Sequence, residues 1–480
     1  MKPSLPLLAG LVGATMLVGL CGCSSADSTE RSLGRVPQNI VEERFEMSAN
    51  SEHVAFVCKQ GNQQVVVRDG RQEKGYDEIG KLVLTPNGHA VYAAMQGGKG
   101  LVVKDGQAGK VYDAVGALLV TGDGRKTLFP GKLHDRLAMV VNGEEGKWYD
   151  DIANPVLSKD EKHLAFAAKA GGKWMMVVDG REGKPYAELT PAVFSPDGGH
   201  IAFAARKDSQ WLVVVDTTEG NLYDHVLGQL FIGPRAEHLA YAAMRGGKVG
   251  VVHDGKEGEE YKFIAELLVN DDVSSVAYAG FLTDSVVVVS DGKAGKKYWR
   301  ARQLVLGPGG RVAYSASNGQ KQEFMVVDGV EGKTYGGVGQ AVFSPDGKRV
   351  AYVAERDSMQ AAVVDGKEGE FFSAVSELQF SPDSRRVAYA ALRGGIWTVV
   401  VDGEQGQPYE AIVPGGCFSP DSKHVVYGAL RRGKNVLVVD GRETGREYNG
   451  IRQLVFDPSG HPQFIALRGD TLLAVKYSGH

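Results

Sequence analysis

The sequence predicts an all-β fold, a β-propeller of about twelve repeats, and two observations predict it. First, the phrase Val-Val-Asp-Gly or a close variant returns every 36 to 38 residues over some 400 residues. Second, four short strands can be read within each repeat, which leaves no room for a helix. Four-stranded sheets stacked around an axis form a β-propeller. The acidic or equivalent residue of the phrase falls at Asp69, Asp105, Asn142, Asp179, Asp216, Asp254, Asp291, Asp328, Asp365, Asp402 and Asp440.

Residues 343–375, FSPDGKRVAYVAERDSMQAAVVDGKEGEFFSAV, show the elements in order. A short first strand ends in a Pro-Asp-Gly turn, where proline and glycine each favour the required backbone angles. Val-Ala-Tyr-Val-Ala is a second strand, and a tight hairpin leads to the third strand, which is rich in β-branched residues. Gly-Lys-Glu-Gly then leads into a fourth. The third strand of the next repeat is apolar at consecutive positions, 398–401, which indicates cover on both faces by neighbouring sheets.

The Phe-Ser-Pro-Asp-Gly phrase and the strand after it resemble the WD40-like propeller repeat of TolB-type periplasmic proteins and of prolyl oligopeptidase propeller domains. The resemblance covers essentially the whole chain after the leader. It is strongest at residues 194–198, 343–347, 380–383 and 418–421, although no Trp-Asp dipeptide occurs. Propellers are rigid platforms, and the fold alone does not name their ligand.

The first 22 residues are typical of a secretory leader: one cation, Lys2, precedes an apolar run and small residues. Leu-Cys-Gly-Cys at 20–23 resembles the bacterial lipobox, which implies a lipoprotein signal peptide over 1–22 and lipidation of Cys23. A plain secretory leader or a membrane helix is the alternative. In the resembled system Ser24 favours the outer membrane, so we expect export across the inner membrane and anchoring there, facing the periplasm or the cell surface. Residues 23–33 would be a tether.

Twelve repeats exceed the four to eight blades of typical propellers. We therefore expect two six-bladed rings, over residues 34–260 and 261–480. The last repeat lacks a fourth strand, and a strand-like piece at 34–41 precedes the first repeat. In the two-ring arrangement this piece would complete the sixth blade, and the residues after Tyr261 would complete the last, so that neither ring keeps a free edge. One large ring is the alternative, because no linker interrupts the period.

Three repeated residue types are interpreted as structural, so we expect no metal ion and no cofactor. The aspartate before glycine is expected to accept backbone N–H groups in a tight turn. The histidines before the second strand alternate with lysine and arginine, which do not ligate zinc, and are assigned to a solvated turn position. The aromatic residue that ends most repeats is expected to pack between blades. Cys58 and Cys417 are interpreted as small core residues without a disulfide. The histidines are His53, His89, His163, His200, His238, His424 and His461; the aromatic residues are Tyr76, Tyr112, Tyr149, Tyr186, Tyr223, Tyr261, Tyr298, Tyr335, Phe372, Tyr409 and Tyr448.

The hairpins between second and third strands are rich in lysine and arginine, and tryptophans begin several third strands. In a propeller these hairpins share one face with the connections between blades. We expect that face to be cationic and to bind an acidic partner, since aromatic residues with arginine are typical of binding hot spots. A solubilising rim is the alternative. The candidate residues are Lys173, Trp174, Arg206, Trp211, Arg245, Lys248, Arg393, Trp397, Arg431 and Arg432.

No catalytic motif is present: there is no Gly-x-Ser-x-Gly elbow, no His-Glu-x-x-His, no P-loop and no dinucleotide-binding glycine pattern. The formal net charge of −4 does not favour nucleic-acid binding. The predicted function is therefore a lipid-anchored, extracytoplasmic scaffold that binds a protein or an anionic envelope component and meets the membrane only through its lipid. The alternatives are a hydrolase or lyase with its site in the channel, and an envelope assembly factor resembling the Tol–Pal role.

Overall fold

Each repeat folds into one antiparallel sheet, or blade, and the blades follow one another in chain order. The computed structural model describes residues 28–319, 322–415 and 418–479, and twelve such sheets lie within them. First strands of neighbouring blades contact each other, whereas fourth strands such as Lys256–Tyr261 expose nearly all of their side chains. The first strand is therefore the inner edge of a blade and the fourth strand the outer edge. The predicted all-β propeller of about twelve repeats is confirmed.

The first six blades each run from a first, inner strand to a fourth, outer strand. Blade 1 contains Ile40–Met47, Val54–Gln60, Gln63–Arg68 and Arg71–Gln72; blade 2, Glu78–Leu84, Ala90–Gln96, Lys99–Lys104 and Gln107–Tyr112; blade 3, the two pieces Ala114–Val115 and Leu119–Val120, then Thr127–Leu133, Arg136–Val141 and Glu144–Tyr149. Blade 4 contains Asp151–Leu157, Leu164–Ala170, Lys173–Val178 and Arg181–Tyr186; blade 5, the pieces Glu188–Leu189 and Val193–Phe194, then Ile201–Lys207, Gln210–Val215 and Thr218–Glu219; blade 6, His225–Ile232, Leu239–Arg245, Lys248–His253 and Lys256–Tyr261.

The other six blades follow the same order. Blade 7 contains Phe263–Val269, Val276–Phe281, Val286–Ser290 and Lys293–Tyr298; blade 8, Arg300–Leu306, Val312–Ser317, Glu323–Val327 and Val330–Tyr335; blade 9, the pieces Gly337–Val338 and Val342–Phe343, then Val350–Arg356, Met359–Val364 and Lys367–Glu368. Blade 10 contains Ala374–Phe380, Val387–Arg393, Ile396–Val401 and Glu404–Gln405; blade 11, Ala411–Val413, Val426–Arg431, Lys434–Val439 and Arg442–Tyr448; blade 12, Gly450–Phe456, Pro462–Arg468, Thr471–Tyr477 and, from the other end of the chain, Ser28–Arg35. Two short 3-10 turns, Pro234–Ala236 and Pro308–Gly310, join first to second strands in blades 6 and 8.

The core is divided among the interfaces between blades, each of which contains a buried apolar cluster. Val399 and Val400 are neighbours in one third strand, yet Val400 packs toward blade 9 and Val399 toward blade 11. Side chains of a strand alternate between its two faces, so an apolar run serves two interfaces at once. This confirms that the third strands are covered on both faces.

The aromatic residue that ends a repeat packs between blades, as the sequence predicts. Tyr335 of blade 8 is 3% exposed, and its ring meets that of Tyr352 in blade 9 edge to face, with centroids 6.5 Å apart. The hydroxyl group of Tyr335 donates a hydrogen bond of 2.9 Å to Glu368 of blade 9, and Lys333 forms an ion pair of 2.8 Å with the same carboxylate. This Tyr–Glu–cation contact recurs at several interfaces and ties neighbouring outer strands together.

The repeated aspartate has the turn role predicted for it. Asp365 has a positive φ of 51°, and its Oδ1 accepts a hydrogen bond of 3.0 Å from the Val350 N–H at the start of the second strand. The other carboxylate oxygen of such an aspartate pairs with the residue before that strand. His200 contacts Asp216 at 2.8 Å, and Arg349 contacts Asp365 at 2.9 Å. Histidine and arginine alternate at this position because each can donate to the same carboxylate.

The structure is one ring of twelve blades, which was the alternative, and the preferred arrangement of two six-bladed rings is wrong. Ser28–Arg35 pairs antiparallel with Thr471–Tyr477 and is the fourth strand of blade 12. Blade 6 is completed by its own fourth strand, Lys256–Tyr261, so no edge is left there for the N-terminal segment. The predicted strand at 34–41 and tether at 23–33 are corrected accordingly, because residues 28–33 belong to this strand and a different strand begins at residue 40.

Blade 12 and blade 1 also pack together, which closes the ring. Leu33 and Ile465 of blade 12 are buried with Phe56 and Cys58 of blade 1, so the prediction that Cys58 is a core residue is confirmed. Burial raises the pKa of the Cys58 thiol to about 11. The leader, Cys23 and Cys417 lie outside the described residues, and within those residues no helix is long and apolar enough to cross a membrane.

Candidate binding face

Two kinds of connection share one face of the ring: the hairpins between second and third strands, and the links from each fourth strand to the next first strand. They meet at one end of every sheet because the four strands are antiparallel. We call this end the hairpin face. The opposite end, with the Pro-Asp-Gly turns and the turns between third and fourth strands, is the turn face. Nine of the ten residues predicted to form the binding face lie at the hairpin ends of their strands, and Arg432 lies in the hairpin turn itself.

Most of the predicted cations on the hairpin face are paired with carboxylates. Arg245 forms an ion pair of 2.7 Å with Glu257, and its guanidinium carbon lies 4.9 Å from the ring centroid of Tyr223. Hydrogen bonds from Arg245 and Tyr223 lower the pKa of Glu257 below its ordinary value. The same kind of pair joins Arg206 to Glu188, Arg393 to Glu370 and Arg431 to Glu443, each at 2.6 Å, and Lys248 lies 3.9 Å from Glu260.

Further carboxylates hold the hairpins in place. The residue after the buried tyrosine is acidic in several blades, and it accepts a hydrogen bond from the next hairpin. Asp224 accepts one of 2.7 Å from the Gly246 N–H, and Glu410 accepts one of 2.5 Å from the Arg432 N–H. The cations of these blades therefore lie among carboxylates, which reduces the positive potential expected from the sequence.

The three predicted tryptophans are only partly exposed, and two of them contact neighbouring side chains. Lys169 lies over the ring of Trp174, with its ammonium group 5.5 Å from the centroid. Trp211 stacks on His225 of the next blade, with centroids 6.2 Å apart. Trp397 is half-buried in blade 10. These contacts leave less aromatic surface free for a partner than the sequence alone suggests.

A second aromatic patch, which sequence reasoning missed, lies on the hairpin face of blades 7 and 8. We call it the aromatic patch; it consists of Lys262, Phe263, Phe281, Trp299 and Arg300. Phe263 stacks on Phe281 across two strands, with centroids 4.1 Å apart and an interplanar angle of 14°. Trp299 is 57% exposed and Phe263 is 46% exposed. The strand that ends at Phe281 contacts the strand that begins at Arg300, so the two blades present one continuous surface.

The cations of the aromatic patch differ from the four paired arginines of this face, Arg206, Arg245, Arg393 and Arg431. Arg300 lies over Trp299, with its guanidinium carbon 4.8 Å from the ring centroid. Among the described residues, neither Arg300 nor Lys262 forms an ion pair with a carboxylate. The signal in the sequence was the position after the repeat tyrosine, which is acidic in many blades but Lys262 and Trp299 here. Free cations beside exposed aromatic rings form a surface suited to an anionic partner.

A separate group of possible metal ligands lies on the turn face of blade 6. One donor atom each from His238, His253 and Asp254 lie within 4.8 Å of one another. Within the described part of the chain, no other group of three or more histidine, cysteine or acidic side chains converges in this way.

Parts of the chain are similar to several solved propellers. No family model matches the chain, and no curated protein matches it. The propeller domain of the tri-lobed protease from Pyrococcus furiosus is 14% identical, with 53% of this chain and 96% of that one aligned and a TM-score of 0.27. TolB from Acinetobacter baumannii is 12% identical over 60% of this chain and 79% of its own, with a TM-score of 0.24. A putative 6-phosphogluconolactonase from Bacteroides fragilis is 15% identical over 45% and 82%, with a TM-score of 0.25.

A propeller fold does not by itself decide whether a chain is an enzyme. The predicted resemblance to TolB-type and WD40-like propellers is confirmed at the level of the fold. What the chain binds has to be argued from its own surface.

Proposed function

We propose that this chain is a lipid-anchored, extracytoplasmic β-propeller that binds an anionic protein or envelope component through the aromatic patch of blades 7 and 8. One observation carries the proposal: Trp299 and Phe263 are exposed beside Arg300 and Lys262, which have no carboxylate partner among the described residues. Elsewhere on the hairpin face most of the predicted arginines are neutralised by glutamates. The lipid anchor and the location rest on the leader and on Cys23 in the sequence.

The chemistry of the patch supports an anionic partner over an apolar one. Exposed aromatic side chains next to arginine are enriched in the residues that dominate binding energies. A cation without an intramolecular partner keeps its charge available, whereas a paired arginine must first leave its carboxylate. A partner on this patch would need no rearrangement of the ring, because both strand pairs are fixed by the sheets.

The test is a comparison of two matched double variants of the soluble chain, starting at Ser24. W299A/R300E changes the aromatic patch, and W397A/R393E makes the same change on the same face in blade 10, where Arg393 is paired with Glu370. Each form is immobilised and exposed to envelope extract, and bound components are quantified. We expect W299A/R300E to lower recovery of an anionic component at least about tenfold, a loss of about 1.4 kcal/mol.

W397A/R393E should leave the recovery of that component close to that of the unchanged chain. Equal recovery by W299A/R300E and the unchanged chain would remove the proposal. Loss with W397A/R393E alone would move the site to the residues of this face that the sequence predicted. Circular dichroism of both variants checks that the ring is intact.

A further inference from the structure

Blade 6 differs from its sister blades at one position on the turn face. The sequence of its third strand ends Val-Val-His-Asp-Gly, so that His253 directly precedes the repeated Asp254. In blades 4, 5 and 11 the residue before that aspartate is valine. Those blades nevertheless contain the ordinary pair of a histidine with the aspartate, such as His200 with Asp216 at 2.8 Å. Blade 6 thus adds a second imidazole to a contact that is structural elsewhere.

With the second imidazole, two ring nitrogens lie close to the same carboxylate oxygen, which gives three possible metal ligands. Nδ1 of His238 lies 2.9 Å from Oδ2 of Asp254, and Nε2 of His253 lies 3.7 Å from the same oxygen. Donors held about 2.1 Å from a tetrahedral ion are separated by about 3.4 Å, and these two distances lie on either side of that value. All three side chains are partly exposed, between 22% and 36%, so an ion can enter from solvent.

The neighbouring blade directs a backbone oxygen at the same place. The carbonyl of Val273 lies 2.8 Å from Nε2 of His253. Val273 has a φ of 62°, which is unusual for a β-branched residue, and the equivalent positions in blades 5 and 9 are Gly198 and Gly347. Such a backbone conformation costs on the order of 1–3 kcal/mol. The turn requires it in other blades too, where serine or glutamate occupies the position, and among the described residues only blade 7 has a β-branched one there.

We propose that His238, His253 and Asp254 bind a divalent transition-metal ion of the zinc type. Two imidazoles and one carboxylate are the mixed nitrogen and oxygen donors that Zn²⁺ accepts, and three protein ligands leave a coordination position open. The Nε2–H group of His253 donates a hydrogen bond to the carbonyl oxygen of Val273. A bound ion would replace this proton and face the same carbonyl oxygen of blade 7. The bound metal would then join the turn faces of blades 6 and 7.

The experiment measures Zn²⁺ binding to the EDTA-treated soluble chain by isothermal titration calorimetry, with Co²⁺ absorption as a second measurement. We expect one site of micromolar or tighter affinity, with the visible bands of low-coordinate Co²⁺. H253V, which restores the valine of blades 4, 5 and 11, should weaken binding at least about 100-fold without unfolding the blade. H253R tests the same ligand while keeping a donor for the carbonyl of Val273, as Arg68 donates to Gly88 in blade 1 at 2.5 Å.

The matched control is H200A, which removes the histidine of the ordinary pair in blade 5. It should leave the affinity and the Co²⁺ spectrum unchanged. Equal binding by the unchanged chain and H253V would overturn the proposal, as would an affinity of the unchanged chain weaker than millimolar. Loss of binding in H200A to the same degree would also overturn it, because the loss would then not be specific to the three side chains of blade 6.

Discussion

The closure between blades 11 and 12 uses the same contact as the interface between blades 8 and 9, but it joins the two ends of the chain. In blade 8, Tyr335 donates to Glu368 at 2.9 Å. At the closure, Tyr448 donates to Glu30 at 2.8 Å, although 418 residues separate them. For a flexible chain, closing 418 residues costs about 2 kcal/mol more than closing 33. The same contact therefore has to offset a larger loss of chain entropy where the ring closes.

At the closure, two arginines contact the glutamate that accepts from the tyrosine. At the interface between blades 8 and 9, one arginine and one lysine contact the equivalent glutamate. Both arginines, Arg446 at 2.8 Å and Arg468 at 2.7 Å, contact Glu30. Arg468 reaches both carboxylate oxygens, which is the stronger bidentate geometry. The side chain of Glu30 is 15% exposed. A repeat sequence can thus close one large ring by strengthening a single copy of the contact that its other blades share.

Removing the closing strand should have the largest effect on this comparison. A chain that starts at residue 36 lacks Ser28–Arg35, so that Thr471–Tyr477 becomes an unpaired edge. Unpaired edges associate with other chains, and we expect dimers or larger species by light scattering, whereas the chain from Ser24 stays monomeric. A synthetic peptide of residues 24–35 should restore the monomer. A shortened chain that is monomeric without the peptide would contradict closure by this strand.

The reactivity of the Cys58 thiol measures whether the ring opens when the closing strand is removed. Cys58 is 5% exposed and packs at the interface between blades 12 and 1, and its pKa of about 11 keeps it protonated at pH 8. Its labelling by iodoacetamide should be slow in the full ring and at least about tenfold faster in the chain that starts at residue 36. Peptide mass spectrometry separates Cys58 from Cys417. Equal labelling rates would show that the interface survives without the closing strand.

The repeat made the blades predictable from the sequence. The closure was not predicted, because it depends on which sheet has an unpaired edge strand, and no sequence motif marks that edge. Nearly every copy of the repeat contains its own turn residues and a buried aromatic residue, so short-range chemistry fixes a blade. The partner of Ser28–Arg35 is set by which sheet lacks a fourth strand, and this requires knowing that Lys256–Tyr261 stays with blade 6. The four to eight blades of typical propellers favoured two rings, whereas the uninterrupted period of the repeat favoured one.

The binding surface was harder to predict than the fold because charge counts ignore pairing. Lysine and arginine in the hairpins suggested a cationic face, but the pattern did not show that carboxylates of other strands lie opposite them, such as Glu257 of a fourth strand and Glu188 of a first strand. The aromatic patch escaped for a related reason. Phe263 and Phe281 are 18 residues apart, and only the register of their strands brings the rings together.

Truncating the closing glutamate should have the next largest effect. E30A leaves Arg446, Arg468 and Tyr448 without their shared acceptor, and we expect it to lower the free energy of unfolding by about 3 kcal/mol. E368A removes the matched internal acceptor, which is more open to solvent, and should cost about 1 kcal/mol. Urea denaturation followed by circular dichroism measures both. Equal losses of unfolding free energy in E30A and E368A would show that the contact at Glu30 stabilises the ring no more than the contact at Glu368.

Acid should act on the closure over a defined range and gives the smallest of these effects. Burial opposes ionisation of Glu30, but hydrogen bonds from Arg468, Arg446 and Tyr448 outweigh it and lower its pKa from 4.5 to about 2. A carboxylate whose pKa is lower in the folded state stabilises the fold fully above pH 4.5, and this contribution is lost as the pH falls toward 2. The urea midpoint should therefore fall more steeply between pH 4.5 and 2 in the unchanged chain than in E30Q. A matched measurement with E368Q should remove a smaller part of the slope, because the Glu368 carboxylate is more open to solvent and its ion pairs are screened more strongly. Parallel curves for the unchanged chain and E30Q would mean that Glu30 does not carry its charge into the closed ring.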